Sequence, residues 1–225
     1  PGTTGTAYTG KALEFDGVAD YIDNGVANFR SADSVGTISV WFYLNGTSKA
    51  QTIAKSADEG SDTRNIGLGI NASNQLHWFQ RNADTADSIT GGTTLSGSTW
   101  YHVTVTSDGS TIAIYLNGAA ETLTVASGAN NGDWFAETTL RDNFVIGALK
   151  RTATENYFDG MLSNFQLWDK AWTASEVTYA YNNPESLVLG ASQTSLTYSD
   201  LKLWYPMQDT HRGNQSYLLD GANTG

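Results

Sequence analysis

YFDGMLSNFQLWDKAWTASEVTYAYNN, residues 157–183, says most about the architecture of this chain. A glycine turn at Gly160 leads into an alternating apolar strand, and that strand runs out in an aromatic pair, Trp168 and Trp172. Thr173-Ala174-Ser175-Glu176 then has the form of a capping box. The threonine oxygen accepts from the backbone N–H three residues on, and the glutamate reaches back to the backbone N–H of the cap. Val177 and Tyr181 stand four apart, on one face of a helix of about two turns. The spacing predicts one short helix, near residues 173–182, in a chain otherwise made of strands.

Upstream, strand signals recur at roughly ten-residue spacing, the pattern of an all-β sandwich. ALEFDGVADYID (12–23) holds two short strands around Asp16-Gly17. In TISVWFYLNG (37–46), Ile38, Val40, Phe42 and Leu44 share one face, and Ser39, Trp41 and Tyr43 the other. RNIGLGI (64–70) puts Ile66, Leu68 and Ile70 on one face, and QLHWFQ (75–80) follows a turn cluster. WYHVTVTSDGSTIAIYLNG (100–118) is a hairpin about Asp108-Gly109, closed by a second turn at Asn117-Gly118. ETLTV (121–125) and NFVIGA (143–148) continue the sheets, while 126–141 reads as a long loop carrying Trp134 and Phe135. The residues expected to point inward include Phe15, Ile38, Val40, Phe42, Leu68, Val103, Val105, Ile114, Val145 and Leu167.

Composition narrows the classes. The 225 residues suit a single all-β domain over 1–225, large enough to bury its own core. The formal charge of −11 opposes the phosphate-neutralising surface that nucleic acids need, so no nucleic-acid partner is expected. With no cysteine, disulfides and Cys-ligated zinc are excluded. No apolar run approaches the ~20 residues of a membrane-spanning helix, so no membrane insertion is expected. Seven Trp and eleven Tyr are a high aromatic load; most are expected in the core, and some could form a stacking surface for sugar.

Taken in order, ALEFDGVADYID, TISVWFYLNG, WYHVTVTSDGSTIAIYLNG, NFVIGA and the strand–helix at 157–183 resemble the laminin-G-like, concanavalin A-like jelly roll of the lectin/glucanase superfamily. The resemblance spans residues 12–183. It implies two stacked antiparallel sheets of six or seven strands each, with a role in binding a glycan or a protein surface, often calcium-assisted and usually outside the cell. Two departures stand out. The family's opening strand is absent before residue 12, and its look-alike sits at the other end, in LKLWYPMQD (201–209). Three arrangements follow: this strand completes the sheet in its own chain as a circular permutation, enters a neighbouring copy to build a homo-oligomer, or begins a following repeat. Family members also often carry an Asp in the last strand, where this chain has Ser163 and Asn164. A calcium ion tied to the fold would sit where Asp209 meets those two residues.

The same fold houses laminarinase-type glycosidases, which need a pair of carboxylates about 5–5.5 Å apart for a retaining mechanism. The nearest match to their Glu-x-Asp-x-x-Glu signature is Glu14-Phe-Asp16-Gly-Val-Ala19, which lacks the third acid, so Glu14 and Asp16 read as edge and turn residues. His77 and His102 alternate with apolar neighbours and read as structural. The acidic turn Asp58–Asp62 could take a hard cation but reads first as a solvated hairpin loop. The function expected is noncatalytic, lectin-like carbohydrate binding. The sugar-binding candidates are Trp78 and Arg81 in one hairpin, Trp134 in the long loop, and Arg64 and Asn65 at a strand start. The alternatives are a structural or adhesive component of a virion, phage particle or large multidomain surface protein and, disfavoured, a glycoside hydrolase. The location expected is extracellular, at a cell surface or in a virion.

Overall fold

The computed structural model describes residues 12–184, 186–188 and 194–207. In chain order the strands are β1 (Leu13–Asp16), β2 (Ile22–Asn24), β3 (Gly36–Leu44), β4 (Gln51–Ala57), β5 (Arg64–Ile70), β6 (Leu76–Asn82), β7 (Thr85–Gly91) and β8 (Trp100–Ser107). They continue as β9 (Ile112–Leu116), β10 (Ala119–Ala120), β11 (Leu123–Ser127), β12 (Phe144–Ile146), β13 (Leu149–Lys150), β14 (Thr154–Glu155), β15 (Asp159–Trp168) and β16 (Leu201–Tyr205). The helix α1 (Ala174–Asn182) lies between β15 and β16. One seven-stranded sheet runs β1-β15-β3-β8-β9-β10, with β16 also on β15. The other runs β11-β7-β6-β5-β4-β12-β2, and β13 with β14 forms a small separate hairpin. Every pairing within the two large sheets is antiparallel. This is the concanavalin A-like jelly-roll sandwich expected from sequence.

The period-2 reading holds because one face of each sheet is buried, which fixes register. All ten residues expected inward are buried. Nine of them join the core between the sheets. Val145 is buried on the opposite side of β12, since its neighbours Phe144 and Ile146 are the ones that enter that core.

The helix starts as its cap predicts. Thr173 Oγ1 accepts from the Glu176 N–H at 3.3 Å, and the Glu176 carboxylate accepts from the Thr173 N–H at 2.8 Å. Its inner face lies on the outer side of the first sheet, where Tyr181 stacks on Trp41 with ring centroids 5.5 Å apart. A second apolar cluster forms there from Trp168, Trp172, Val177, Ala180, Leu187, Val188, Leu196 and Leu201.

The C-terminal strand pairs within its own chain. β15 is long enough to hold two edge partners: its first half pairs β1, from Asp159 to Leu162, and its second half pairs β16, from Phe165 to Trp168. Both partners are antiparallel to β15, so they run the same way, and Tyr205 at the end of β16 points along the edge towards Leu13 at the start of β1. Asn164 sits at the junction in the left-handed region, φ 51°, within an irregularity of the β15–β3 register. Asparagine tolerates that conformation at little cost. Leu201, Leu203 and Tyr205 are buried while Lys202 and Trp204 are half-buried, the alternation expected of the segment.

One expectation fails in the region 126–141. Trp134 is not on a solvent-exposed loop; it is fully buried and stacks face to face on Trp78, centroids 4.8 Å apart and planes within 9°. Gly36 on β3 makes the room: a Cβ there would lie 2.5 Å from Trp134 Nε1. Arg141, also buried, clasps the segment from within. Its guanidinium donates to the carbonyl oxygens of Thr138 and Phe135 and to Ser56 Oγ, and lies over the Phe135 ring. Burial pulls its pKa down to about 10, and it remains charged at neutral pH.

Candidate functional site: a cationic groove on the outer face of the second sheet

β4, β5 and β6 lie in the middle of the second sheet, and their outward residues form three cross-strand rows. These are Thr52–Gly69–His77, Lys55–Gly67–Phe79 and Ala57–Asn65–Arg81. The central strand thus carries glycine at two of its three outward positions, and the absence of side chains there lowers the floor of a groove. Gly67 could be no other residue: its φ is +149°, and a Cβ would lie 2.2 Å from the Ala54 carbonyl oxygen. Neighbouring strands are spaced about 4.8 Å apart, so Lys55 and Phe79 are anchored about 10 Å apart. Across the bare glycine the Lys55 ammonium reaches over the Phe79 ring, 5.1 Å from its centroid. The side of the groove is raised by Leu149, Arg151 and Asn156, from and beside the β13–β14 hairpin, and its end by Asn71 and Ala72 in the β5–β6 turn. The resulting cavity measures about 390 Å³.

The chemistry of the lining is uneven. It includes Lys55, Arg81 and Arg151, the planar polar side chains of Gln51, Asn65, Asn71 and Asn156, one flat apolar ring in Phe79, and no Asp or Glu. Burial, reinforced by the charge of Arg151, lowers the Lys55 pKa to about 8. Burial, with Lys55 nearby, lowers that of His77 to about 4, so this imidazole is neutral at neutral pH; its Nε2 lies 2.8 Å from Ser88 Oγ. Asn65 is buried, and its Oδ1 has no hydrogen-bond donor within the protein. An orphaned buried acceptor costs about 1–3 kcal/mol, a cost that a ligand donor in the groove would offset.

Only part of the candidate set lies here. Asn65 and Arg81 line the groove, in register with each other. Arg64 adjoins Asn65 on the strand, and successive side chains point to opposite faces; its guanidinium lies 3.8 Å from Asp58 instead. Trp78 and Trp134 are the stacked pair of the core, so neither offers a face to sugar. Ser163 and Asn164 are buried on β15, where the Asn164 carbonyl oxygen accepts from Trp204 Nε1 at 2.8 Å and its amide donates to the Pro184 oxygen at 2.5 Å. Asp209, the third member of that calcium set, lies outside the described residues. Among the described residues, no group of three or more His, Cys, Asp or Glu comes together. The acidic turn is occupied by cations: Asp58 faces Arg64, Glu59 is 2.8 Å from Lys150, and Asp62 is 3.5 Å from Arg151. Asp16 caps its turn by accepting from the N–H groups of Val18 and Ala19. His102 is buried against Ser39, as a structural histidine would be.

Lys55, Phe79 and the two floor glycines were not singled out from sequence, although the signal was present. RNIGLGI was read for its inward Ile66, Leu68 and Ile70; the same alternation states that its outward side is Asn65, Gly67 and Gly69. Glycine inside a strand marks a close approach by a backbone or a ligand.

With this geometry in place, comparison with known proteins gives the family. The model of the concanavalin A-like lectin/glucanases superfamily, of laminin-G type, matches residues 16–178. The chain belongs to that superfamily. No curated protein sequence matches it. Among solved structures, the chain is similar to the Ruminococcus gnavus IT-sialidase CBM40 bound to alpha2,3 sialyllactose, with TM-score 0.62 and 15% identity over 79% of this chain and 100% of that one. It is also similar to the heptameric SAP-like pentraxin of Limulus polyphemus, with TM-score 0.55 and 18% identity over 76% of this chain and 81% of that one. A mutant of NanB sialidase from Streptococcus pneumoniae matches with TM-score 0.61 and 16% identity, over 76% of this chain and 27% of that one. At these identities the likeness is one of fold. Among the described residues, no helix is long and apolar enough to cross a membrane.

Proposed function

We propose that the chain is a noncatalytic carbohydrate-binding module working outside the cell, and that its glycan lies in the groove over β4, β5 and β6. The observation that carries this reading is the lining itself. One half-buried aromatic ring, Phe79, and several planar polar side chains converge on an open depression, the combination that stacks a sugar and fixes its hydroxyls. The Asn65 oxygen, buried and without an internal donor, supplies an acceptor for a ligand hydroxyl. The same lining argues against hydrolysis. A glycosidase needs two carboxylates flanking the scissile bond, and the groove contributes none. A pair of carboxylates does occur elsewhere: Asp133 hydrogen-bonds Asp87, whose other contact is the Ala129 N–H. That pair joins β7 to the clasped segment after β11 and is not part of the groove lining. The name of one similar structure, a carbohydrate-binding module, agrees with the reading.

The test is a glycan array probed with the wild-type protein and with Phe79→Ala and Asn65→Ala variants. Binding to a defined glycan set, weakened in both variants, is the expected result. Silence across the array would overturn the reading, and so would hydrolysis of a bound glycan.

A further inference from the structure

Resting on that reading, we propose that the groove selects acidic glycans, those carrying a carboxylate or a sulfate ester, with Lys55 and Arg81 receiving the anionic group.

The chain has 23 acidic residues against 12 basic ones, so a surface hollow drawn at random would favour acids about two to one. This hollow holds three cations and no acid. The distribution of partners sharpens the point. Of the described lysines, Lys49, Lys150, Lys170 and Lys202 each have a carboxylate within 4 Å. Lys55 is the exception among them: it is 8% exposed, lies over the Phe79 ring, and has no carboxylate within 4 Å. Of the described arginines, Arg30, Arg64 and Arg151 are paired with carboxylates. Arg141 is satisfied by oxygens in the core. Arg81 donates from Nε to the Ala83 carbonyl and has no carboxylate partner. Among the described residues, the two cations with no carboxylate within 4 Å and not consumed by the core therefore line the same groove.

Leaving an ammonium buried without an anion is unfavourable for folding. Lys55 keeps it at neutral pH all the same, since its pKa remains near 8. Arg151 faces it with like charge and Glu155 with opposite charge, while Glu155 itself is held by Arg151 at 2.5 Å. An anion entering the groove would meet two donors whose charge is not yet neutralised, and a guanidinium suited to two-oxygen recognition. The row geometry places Arg81 one row beyond Phe79 on β6, with Lys55 facing Phe79 across Gly67. The Phe79 ring thus has a cation on each of two sides, the Lys55 ammonium over its face and Arg81 one row along β6. Carboxylate and sulfate share this chemistry.

The experiment is titration calorimetry with glycans of matched ring framework in neutral, carboxylated and sulfated forms, chosen from the array. Wild type should bind an acidic form at least about tenfold more tightly than its neutral counterpart, an advantage that falls with added salt as screened charge pairing requires. Lys55→Gln and Arg81→Gln should each erase most of that advantage. Lys202→Gln, on the other sheet, should leave it intact. Lys55→Met should also raise the melting temperature by a few degrees, which shows that the lysine is retained against stability and that lost binding is not lost folding. Preference for the carboxylated over the sulfated form, or the reverse, identifies the anion. If glycans bind but neutral and acidic forms bind alike, or if both Gln variants keep the advantage, this proposal fails and the carbohydrate-binding reading stands. If no glycan binds, the carbohydrate-binding reading itself fails.

Discussion

The two outer faces of the sandwich are built from the same alternating strands and have opposite fates. On the first sheet the outward residues include Trp41, His102 and Tyr115, and α1 with the chain following it closes over them. On the second sheet the corresponding rows carry Lys55, Gly67, Gly69, Asn65 and Phe79, and no helix among the described residues covers them. Large outward aromatics give a helix apolar surface to bury, at roughly 25 cal/mol per Å². Glycine and polar side chains give it little. The chain thus spends aromatic surface on one side to attach its helix and withholds it on the other to keep a hollow.

Removing residues 200–225 should break the covered face most severely. Leu201 belongs to the cluster under the helix, and Leu203 and Tyr205 to the central core. The deletion strips both and leaves the second half of β15 without its edge partner, an aggregation hazard. The expected outcome is loss of soluble folded protein, read by gel filtration and circular dichroism. A variant with an unchanged melting curve would show that β16 is dispensable.

A smaller but still large loss follows from Trp168→Ala. This buried ring meets Trp172 edge-on, centroids 5.4 Å apart. Its removal should cost about 3–5 kcal/mol, the range for large-to-small changes of buried aromatics, measured by urea unfolding. The matched change on the open face, Phe79→Ala, should cost no more than about 1 kcal/mol, as expected where burial is incomplete. Equal costs would mean that the two faces are equally covered and that the contrast is wrong.

A pH-dependent effect belongs to the segment beside the open sheet. Burial first, then the neighbouring Asp87, pushes Asp133 up to about 6. A carboxyl whose pKa rises on folding stabilises the fold when protonated; its contribution is full below the unfolded value of about 4 and disappears as pH rises through about 6. Asp133→Asn should therefore flatten the dependence of melting temperature on pH between 4 and 6, and raise the melting temperature at pH 7 by a few degrees. An unchanged profile would show that the two aspartates do not share a proton.

How much of this was legible in the sequence follows the same division. Ile38, Val40, Phe42, Val103 and Val105 announce an inward face because alternation is a local signal. The Thr173–Glu176 box announces the helix for the same reason. The segment 126–141 has no period, so nothing local says that it folds back; what decides its course is Gly36 on β3 and the Arg141 clasp, contacts far apart in sequence. A tryptophan in an aperiodic loop suggests a face open to ligand, and Trp134 is buried because a distant glycine leaves room. The groove was missed differently. Its glycines were visible at 67 and 69, but a strand read for its core side hides what its other side lacks.

The central claim is that the open face, and not the covered one, receives the ligand. Backbone amide NMR, titrated with the strongest array glycan, tests it most directly. The account predicts shift changes concentrated at residues 51–55, 65–69 and 77–81, with the amides of α1 and of β9 and β10 unmoved. Changes centred on 174–182 and 112–120, with the β4–β6 amides silent, would contradict it.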